Sequence, residues 1–158
     1  MNPTKNDITL AIRNALVPLL NERLADLIDL QLQAKQAHWN VKGTNFIALH
    51  ELFDEVAEGI EEHVDNVAER LVALGGIAEG TIGAVAGRTK LAAYSLTITS
   101  GREHVDALST ALATAGKLIR AGIEQANTIG DADTADLFTN VSRDLDKKLW
   151  FVEAHLQG

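Results

Sequence analysis

Residues 45–76 read NFIALHELFDEVAEGIEEHVDNVAERLVALGG, and the fold turns on them. Phe46, Leu49, Phe53, Ala57, Ile60, Val64, Val67, Leu71 and Leu74 follow one another at spacings of three and four, the period of one buried helix face. A stripe of metal-ligand residues runs beside that face. At about 100° per residue, with His50 at zero, Glu61 falls at about 20°, Asp54 at about 40°, Asp65 at about 60° and Glu69 at about 100°. His50–Asp54 and Asp65–Glu69 are i,i+4 pairs, so each pair can offer two ligands to one ion.

Within one chain the two pairs cannot serve the same ion. About 16 Å of helix rise separates Asp54 from Asp65, against about 2 Å for a metal–oxygen bond. Their spacing is symmetric, however: 50 with 69, and 54 with 65, share a midpoint between Gly59 and Ile60. Two copies of this helix packed antiparallel about a two-fold would bring His50 and Asp54 of one against Glu69 and Asp65 of the other. Gly59, which has no side chain, is expected where such helices approach most closely. The competing reading is a solvated acidic face with one chance histidine.

Upstream, the polar start MNPTKND is expected as part of a short extension over about 1–15, with Asn6 or Asp7 as a possible cap. Pro18 is expected to break or kink a helix, or to begin one. Leu20, Leu24, Leu27, Gln31, Ala34 and His38 then carry one helix to about His38, which ends the inward stripe, and a turn closes at Gly43. Downstream, Gly75–Gly76 stops the central helix, and residues 77–99 read as a long connection with one short helix around 81–87. Ser100-Gly-Arg-Glu103 has the capping-box spacing and opens a third long helix. Gly130 ends that helix, and Asp131-Ala-Asp133 starts a fourth that runs to about Leu156.

The expected fold is therefore all-α: one domain over 1–158, a four-helix bundle whose long crossover lets the second and third long helices run parallel. Hydrophobic residues make up 46% and charged residues 23%, enough apolar material for a core. With no cysteine, the chain has no disulfide, thiolate zinc site or cysteine nucleophile. No signal-like segment and no apolar run of about 18 residues occurs, so neither export nor a membrane span is expected. The net charge of −8 repels phosphate backbones unless a basic arm is set apart from the rest.

Histidine and carboxylate ligands suit iron, zinc or manganese, and spacing does not choose among them. An intrachain di-iron core of the Glu-x-x-His kind is disfavoured, because no Glu is followed by His three residues later. Met1 is the only methionine, so no haem is expected on an internal methionine pair. His63 lies about 220° around the helix from His50, and His104 and His155 sit among polar residues near helix ends; all three are expected on the surface. Asp131, Asp133 and Asp136 each suit the first turn of a helix as cap or dipole partner.

Lys35-Gln-Ala-His38-Trp39-Asn40-Val-Lys-Gly43, followed by Phe46 and His50-Glu-x-x-Asp54, resembles the first motif of the Dps-type mini-ferritins, the DNA-protection-during-starvation proteins. Asp65-x-x-x-Glu69-Arg70-x-x-x-Leu74-Gly75-Gly76 is similar to their second. Asp133-Thr-Ala-Asp136 with Ser142-Arg-Asp-Leu-Asp-Lys147-x-Leu149-Trp150 is similar to their last helix. The resemblance covers nearly the whole chain from about residue 15. It implies a ferritin-like bundle assembled as a hollow twelve-subunit shell, with ferroxidase centres between subunits and a ferric mineral inside.

Carried over by position, the resemblance implies iron ligands His38, His50 and Asp54 from one subunit, with Asp65 and Glu69 from its partner. Each shared centre would hold two irons, or one iron and a water. Fe2+ and H2O2, or O2, would be the substrates. Trp39 would intercept stray radicals, Lys35 would neutralise carboxylates of the empty site, and Asp131, Asp133 and Asp136 would line cation-admitting pores. The implied location is the cytoplasm, with association to the nucleoid in members that coat DNA. That alternative role uses a lysine-rich tail. Here the first twenty residues hold only Lys5 and Arg13, and residues 153–158 hold no Lys or Arg, so weak or no DNA binding is expected.

Overall fold

A computed structural model of the protein describes residues 1–157. Its helices are α1 (Leu10–Asn40), α2 (Phe46–Ala73), the short α3 (Ile82–Arg88), α4 (Gly101–Ile129) and α5 (Ala132–Glu153), with a closing 3-10 turn at Ala154–Leu156. Helix α1 pairs chiefly with α2, and α4 with α5; α1 also packs on α4 and α2 on α5, while α3 rests on α1. The Arg13 guanidinium donates to the Leu74 carbonyl at 3.2 Å, so α1 begins where α2 ends and the two run antiparallel. At the other end the Gly101 amide donates to the Lys42 carbonyl at 3.2 Å. Helix α4 thus starts beside the start of α2, and the crossover over residues 77–99 returns the chain to make α2 and α4 parallel.

The periodic residues build the core. Leu49, Phe53, Val56, Ala57, Ile60, Val67 and Leu71 of α2 are buried against Leu20, Leu24, Leu27 and Leu30 of α1 and Leu108, Leu112, Phe138 and Leu145 of the second pair. Each fully buried Leu or Phe contributes roughly 1.5–3 kcal/mol relative to exposure. Helix α2 stops at a left-handed Gly75 (φ +87°). The Gly75 amide donates to the Val72 carbonyl and the Gly76 amide to the Leu71 carbonyl, a pair of bonds that satisfies the last helical carbonyls and needs φ > 0 at residue 75. Ser100 and Glu103 form the reciprocal capping box that starts α4.

Four local expectations change. Helix α1 begins at Leu10, capped by Thr9, inside the stretch expected to be an extension. Pro18 lies within this one 31-residue helix. Its ring denies a bond to the Asn14 carbonyl, but Pro18 and Asn14 are both exposed, so water can serve that carbonyl and the helix continues. Phe46 is exposed at the start of α2, and Val64 is only partly buried, so the buried face is narrower than the apolar period. Gly59 faces its own chain: a Cβ there would meet the Lys148 ammonium of α5. At about 180° from His50 it faces away from the ligand stripe, and its bareness makes room for a lysine of its own chain.

Candidate metal centre

His38, in the last turn of α1, and His50, in the second turn of α2, are brought face to face by the tight turn between the helices. Their rings stack at 3.7 Å between centroids, 22° from parallel. His38 Nδ1 lies 2.7 Å from the His50 carbonyl, and His50 Nδ1 lies 2.8 Å from the His38 carbonyl. A carbonyl only accepts, so both rings carry their proton on Nδ1 and leave the Nε2 lone pair free. Backbone acceptors that fix the tautomer and orientation of an imidazole are what a metal-binding histidine needs. The Phe46 ring, at 5.1 Å, leans on His50 from the open side.

Asp54 lies one turn beyond His50: its Oδ1 is 4.0 Å from His38 Nδ1 and accepts a close hydrogen bond from Lys35 Nζ. The Lys35 ammonium holds the Asp54 carboxyl below its usual range; slight burial opposes this and the histidines add to it. The carboxylate is therefore ionised and already paired with a cation, which an arriving divalent ion has to displace. Trp39, next to His38, is 65% exposed.

Asp65 and Glu69 lie on the exposed face of α2, and neither has an ion-pair partner among the described residues. The fold does not bring them to His38, His50 and Asp54, and no group of three or more His, Asp or Glu among the described residues is placed to hold an ion. One chain therefore presents two separate half-sets of donors on one helix stripe. Nitrogen and oxygen donors without thiolate suit Fe2+, along with Zn2+ and Mn2+. Glu61 and Glu62 are exposed beside them.

The three aspartates expected to line a pore divide. Asp133 and Asp136 are exposed, but Asp131 is buried. Its carboxylate accepts from Arg70 Nη2 at 2.7 and 3.0 Å, from the Thr134 amide at 3.3 Å and from the Thr134 hydroxyl. Burial alone would raise the Asp131 pKa, but the Thr134 and Arg70 bonds together pull it below its usual value. Asp131 is a cap and an inter-helix tie, because its side chain turns in toward α2 rather than out to water.

Two histidines expected on the surface are buried instead. His63, on the α5 side of α2, has its Nε2 2.8 Å from Asp144 Oδ2, and Lys148 Nζ lies 3.2 Å from the same oxygen. Its wheel angle away from the ligand stripe was legible, but that side is covered by α5. His104 is 1% exposed and meets the Tyr94 hydroxyl; its partner comes from the irregular crossover, where no period gives a direction. His155 is exposed, as expected. Among the described residues no helix is long and apolar enough to cross a membrane.

An all-helical antiparallel pair joined by one long crossover to a second pair is the connectivity of the ferritin-like class. A family model described as "Ferritin-like domain" matches residues 17–158. The chain is 48% identical over 154 residues to the DNA protection during starvation protein of Agrobacterium fabrum, covering 98% of this chain and 95% of that relative. DpsA14 from Streptomyces coelicolor superposes with a TM-score of 0.93 at 39% identity, covering 98% of this chain and 92% of that one. Dps from Microbacterium arborescens, solved in the high iron form, superposes with a TM-score of 0.88 at 30% identity, covering 96% and 98%. The chain belongs to the ferritin-like family and, within it, to the Dps-type mini-ferritins. Membership supports a role in iron storage and stress protection.

Proposed function

We propose that the chain is a ferroxidase that oxidises Fe2+ at centres completed by a two-fold partner and stores the ferric product inside a shell of twelve copies. The observation that carries this reading is the pair of reciprocal Nδ1–H···O=C bonds between His38 and His50. They leave two Nε2 lone pairs free on the stacked rings, with the ionised Asp54 one turn from His50, and Asp65 and Glu69 are exposed further along the same helix without an ion-pair partner among the described residues. A second copy in antiparallel register would supply the missing carboxylates. Two imidazoles and three carboxylates would hold Fe2+, and the carboxylates, being hard donors, would favour the ferric product.

H2O2 is the proposed oxidant, with O2 as the slower substitute. Two Fe2+ give one electron each to H2O2, and with two protons the products are two Fe3+ and two waters, so no hydroxyl radical is released. Trp39, exposed next to His38 in sequence, would take up single-electron oxidants that escape. Asp133 and Asp136, without Asp131, would form the acidic rim through which Fe2+ enters. DNA coating is not favoured: a net charge of −8 per chain has the wrong sign for counterion release. The proposed setting is the cytoplasm, where Fe2+ and peroxide meet.

Anaerobic titration with Fe2+, then addition of H2O2, tests the reading through ferric absorbance. Rapid oxidation saturating at one or two Fe2+ per chain supports it. Oxidation no faster than in buffer, with correctly folded protein, refutes it.

A further inference from the structure

The chain's only tyrosine, Tyr94, stands in the crossover with its hydroxyl oxygen 2.8 Å from Nδ1 of His104, in the first turn of α4. The rings lie 17° from parallel with centroids 6.0 Å apart. Tyr94 packs against the core and His104 is 1% exposed. His104 Nε2 is enclosed with no hydrogen-bond partner among the described residues, and the backbone of Asn40 lies beside the ring. In the tautomer with the ring proton on Nε2, Nδ1 accepts the phenol proton.

Acid–base chemistry alone leaves this pair idle. Burial pushes the Tyr94 phenol far up, and burial pulls the His104 ring down, with Glu103 and the Asn40 backbone opposing the latter. At neutral pH the phenol keeps its proton and the imidazole stays neutral with an open lone pair. An apolar pair of the same shape would fill the space without leaving a buried ring nitrogen poorly satisfied. What a hydrogen-bonded phenol and neutral imidazole can do, and an apolar pair cannot, is lose an electron and move a proton together.

We propose that Tyr94 and His104 form a redox site, in which Tyr94 gives one electron to a strong one-electron oxidant while its phenol proton passes to His104 Nδ1. The O–H bond of Tyr94 breaks and an N–H bond forms on His104, leaving a neutral phenoxyl radical hydrogen-bonded to an imidazolium. The oxidant is of the hydroxyl-radical class; it becomes hydroxide and takes a proton from solvent to leave as water. The first turn of α4 disfavours a cation at His104, whereas the carbonyl end of α1 at Asn40 and the neighbouring Glu103 favour it. Asn40 is next in sequence to Trp39 and two residues from His38, so the pair meets the same end of α1 that carries them. An oxidising hole caught at the exposed Trp39 indole would have a buried place to settle.

Iron-free protein oxidised by photogenerated tris(bipyridine)ruthenium(III) tests this. Because no iron is present, a failed ferroxidase assay leaves the outcome untouched. The wild-type chain should give a phenoxyl radical by electron paramagnetic resonance, and with one tyrosine its origin is unambiguous. Tyr94→Phe should abolish it. His104→Gln keeps an acceptor for the phenol but no base, and should slow radical formation by about a hundredfold or more, the usual contribution of a positioned base. Heavy water should slow the wild-type step and leave the variant unaffected. Equal rates in wild type and His104→Gln, absence of an isotope effect, or no phenoxyl radical in the wild type would overturn the proposal. Should His104→Gln fail to fold, the isotope effect and Tyr94→Phe decide alone.

Discussion

Replacing Lys35 by methionine removes the cation that occupies Asp54 and keeps most of the aliphatic stem. The Lys35 and Asp54 side chains are 30% and 33% exposed, so solvent screens the pair and its worth is about 0–1 kcal/mol. Folding stability should therefore change by less than about 1 kcal/mol. A metal ion binding at His38, His50 and Asp54 no longer has to displace an ammonium, so near neutral pH affinity should rise, by at most about fivefold for 1 kcal/mol. Lys35 is the main cause of the low Asp54 pKa, and without it Asp54 returns toward its ordinary value of about 3.9. Protons then compete for the carboxylate at higher pH than in wild type, so the variant's gain in affinity should shrink as pH falls toward that value. Calorimetric titration with Zn2+, which has no redox chemistry to complicate the readout, measures both limbs. Weaker Zn2+ binding by Lys35→Met at neutral pH, by tenfold or more, would refute the reasoning and make Lys35 a residue that positions the ligands.

Arg70→Met should strand the buried Asp131 carboxylate and cost about 3 kcal/mol of stability, since one partner of a largely enclosed pair is lost; denaturant midpoints measure it. Asp131→Asn keeps a cap acceptor and should cost less. Because the folded pKa of Asp131 is depressed, its ionic contribution is complete above the unfolded pKa of about 3.9 and is lost as pH falls through the folded value. The gap between wild type and Asp131→Asn should accordingly narrow in acid. Asp133→Asn with Asp136→Asn should slow Fe2+ uptake without removing oxidation, and salt should slow the wild type more than the variant; stopped-flow ferric absorbance would show an unchanged rate and salt dependence if these carboxylates play no part. A gel shift in about 0.15 M salt should show no retained DNA, and tight sequence-independent retention would contradict the charge argument.

Much of this architecture is local and so legible in sequence. The three-and-four spacing along α2, the Ser100–Glu103 box and the Gly75–Gly76 stop each act within one or two turns. That His50, Asp54, Asp65 and Glu69 fall along one stripe was also readable, because they share one helix; their role as ligands is part of the proposed function. What the sequence concealed is tertiary. His63 lies on the predicted side of α2, but only the packing of α5 shows that this side is buried and that Asp144, 81 residues away, receives its proton bond. Asp131 reads as a helix cap, and it is one, but its tie to Arg70 spans 61 residues and removes it from solvent. Gly59 shows the same limit: its bareness signals a close approach without saying by what, and the neighbour is Lys148. Tyr94 sits in a segment without period, so its meeting with His104 follows from the path of the crossover alone.

The central claim is that half of the iron site comes from another copy of the chain. His50→Ala and Glu69→Ala should each abolish rapid Fe2+ oxidation as pure proteins. When the two are unfolded, mixed in equal amounts and refolded together, a two-fold pair with one of each contains one doubly damaged site and one intact site. Random pairing makes half of the pairs mixed, so about a quarter of native activity should return. A mixture that exchanges subunits and stays as inactive as its parents would contradict the account.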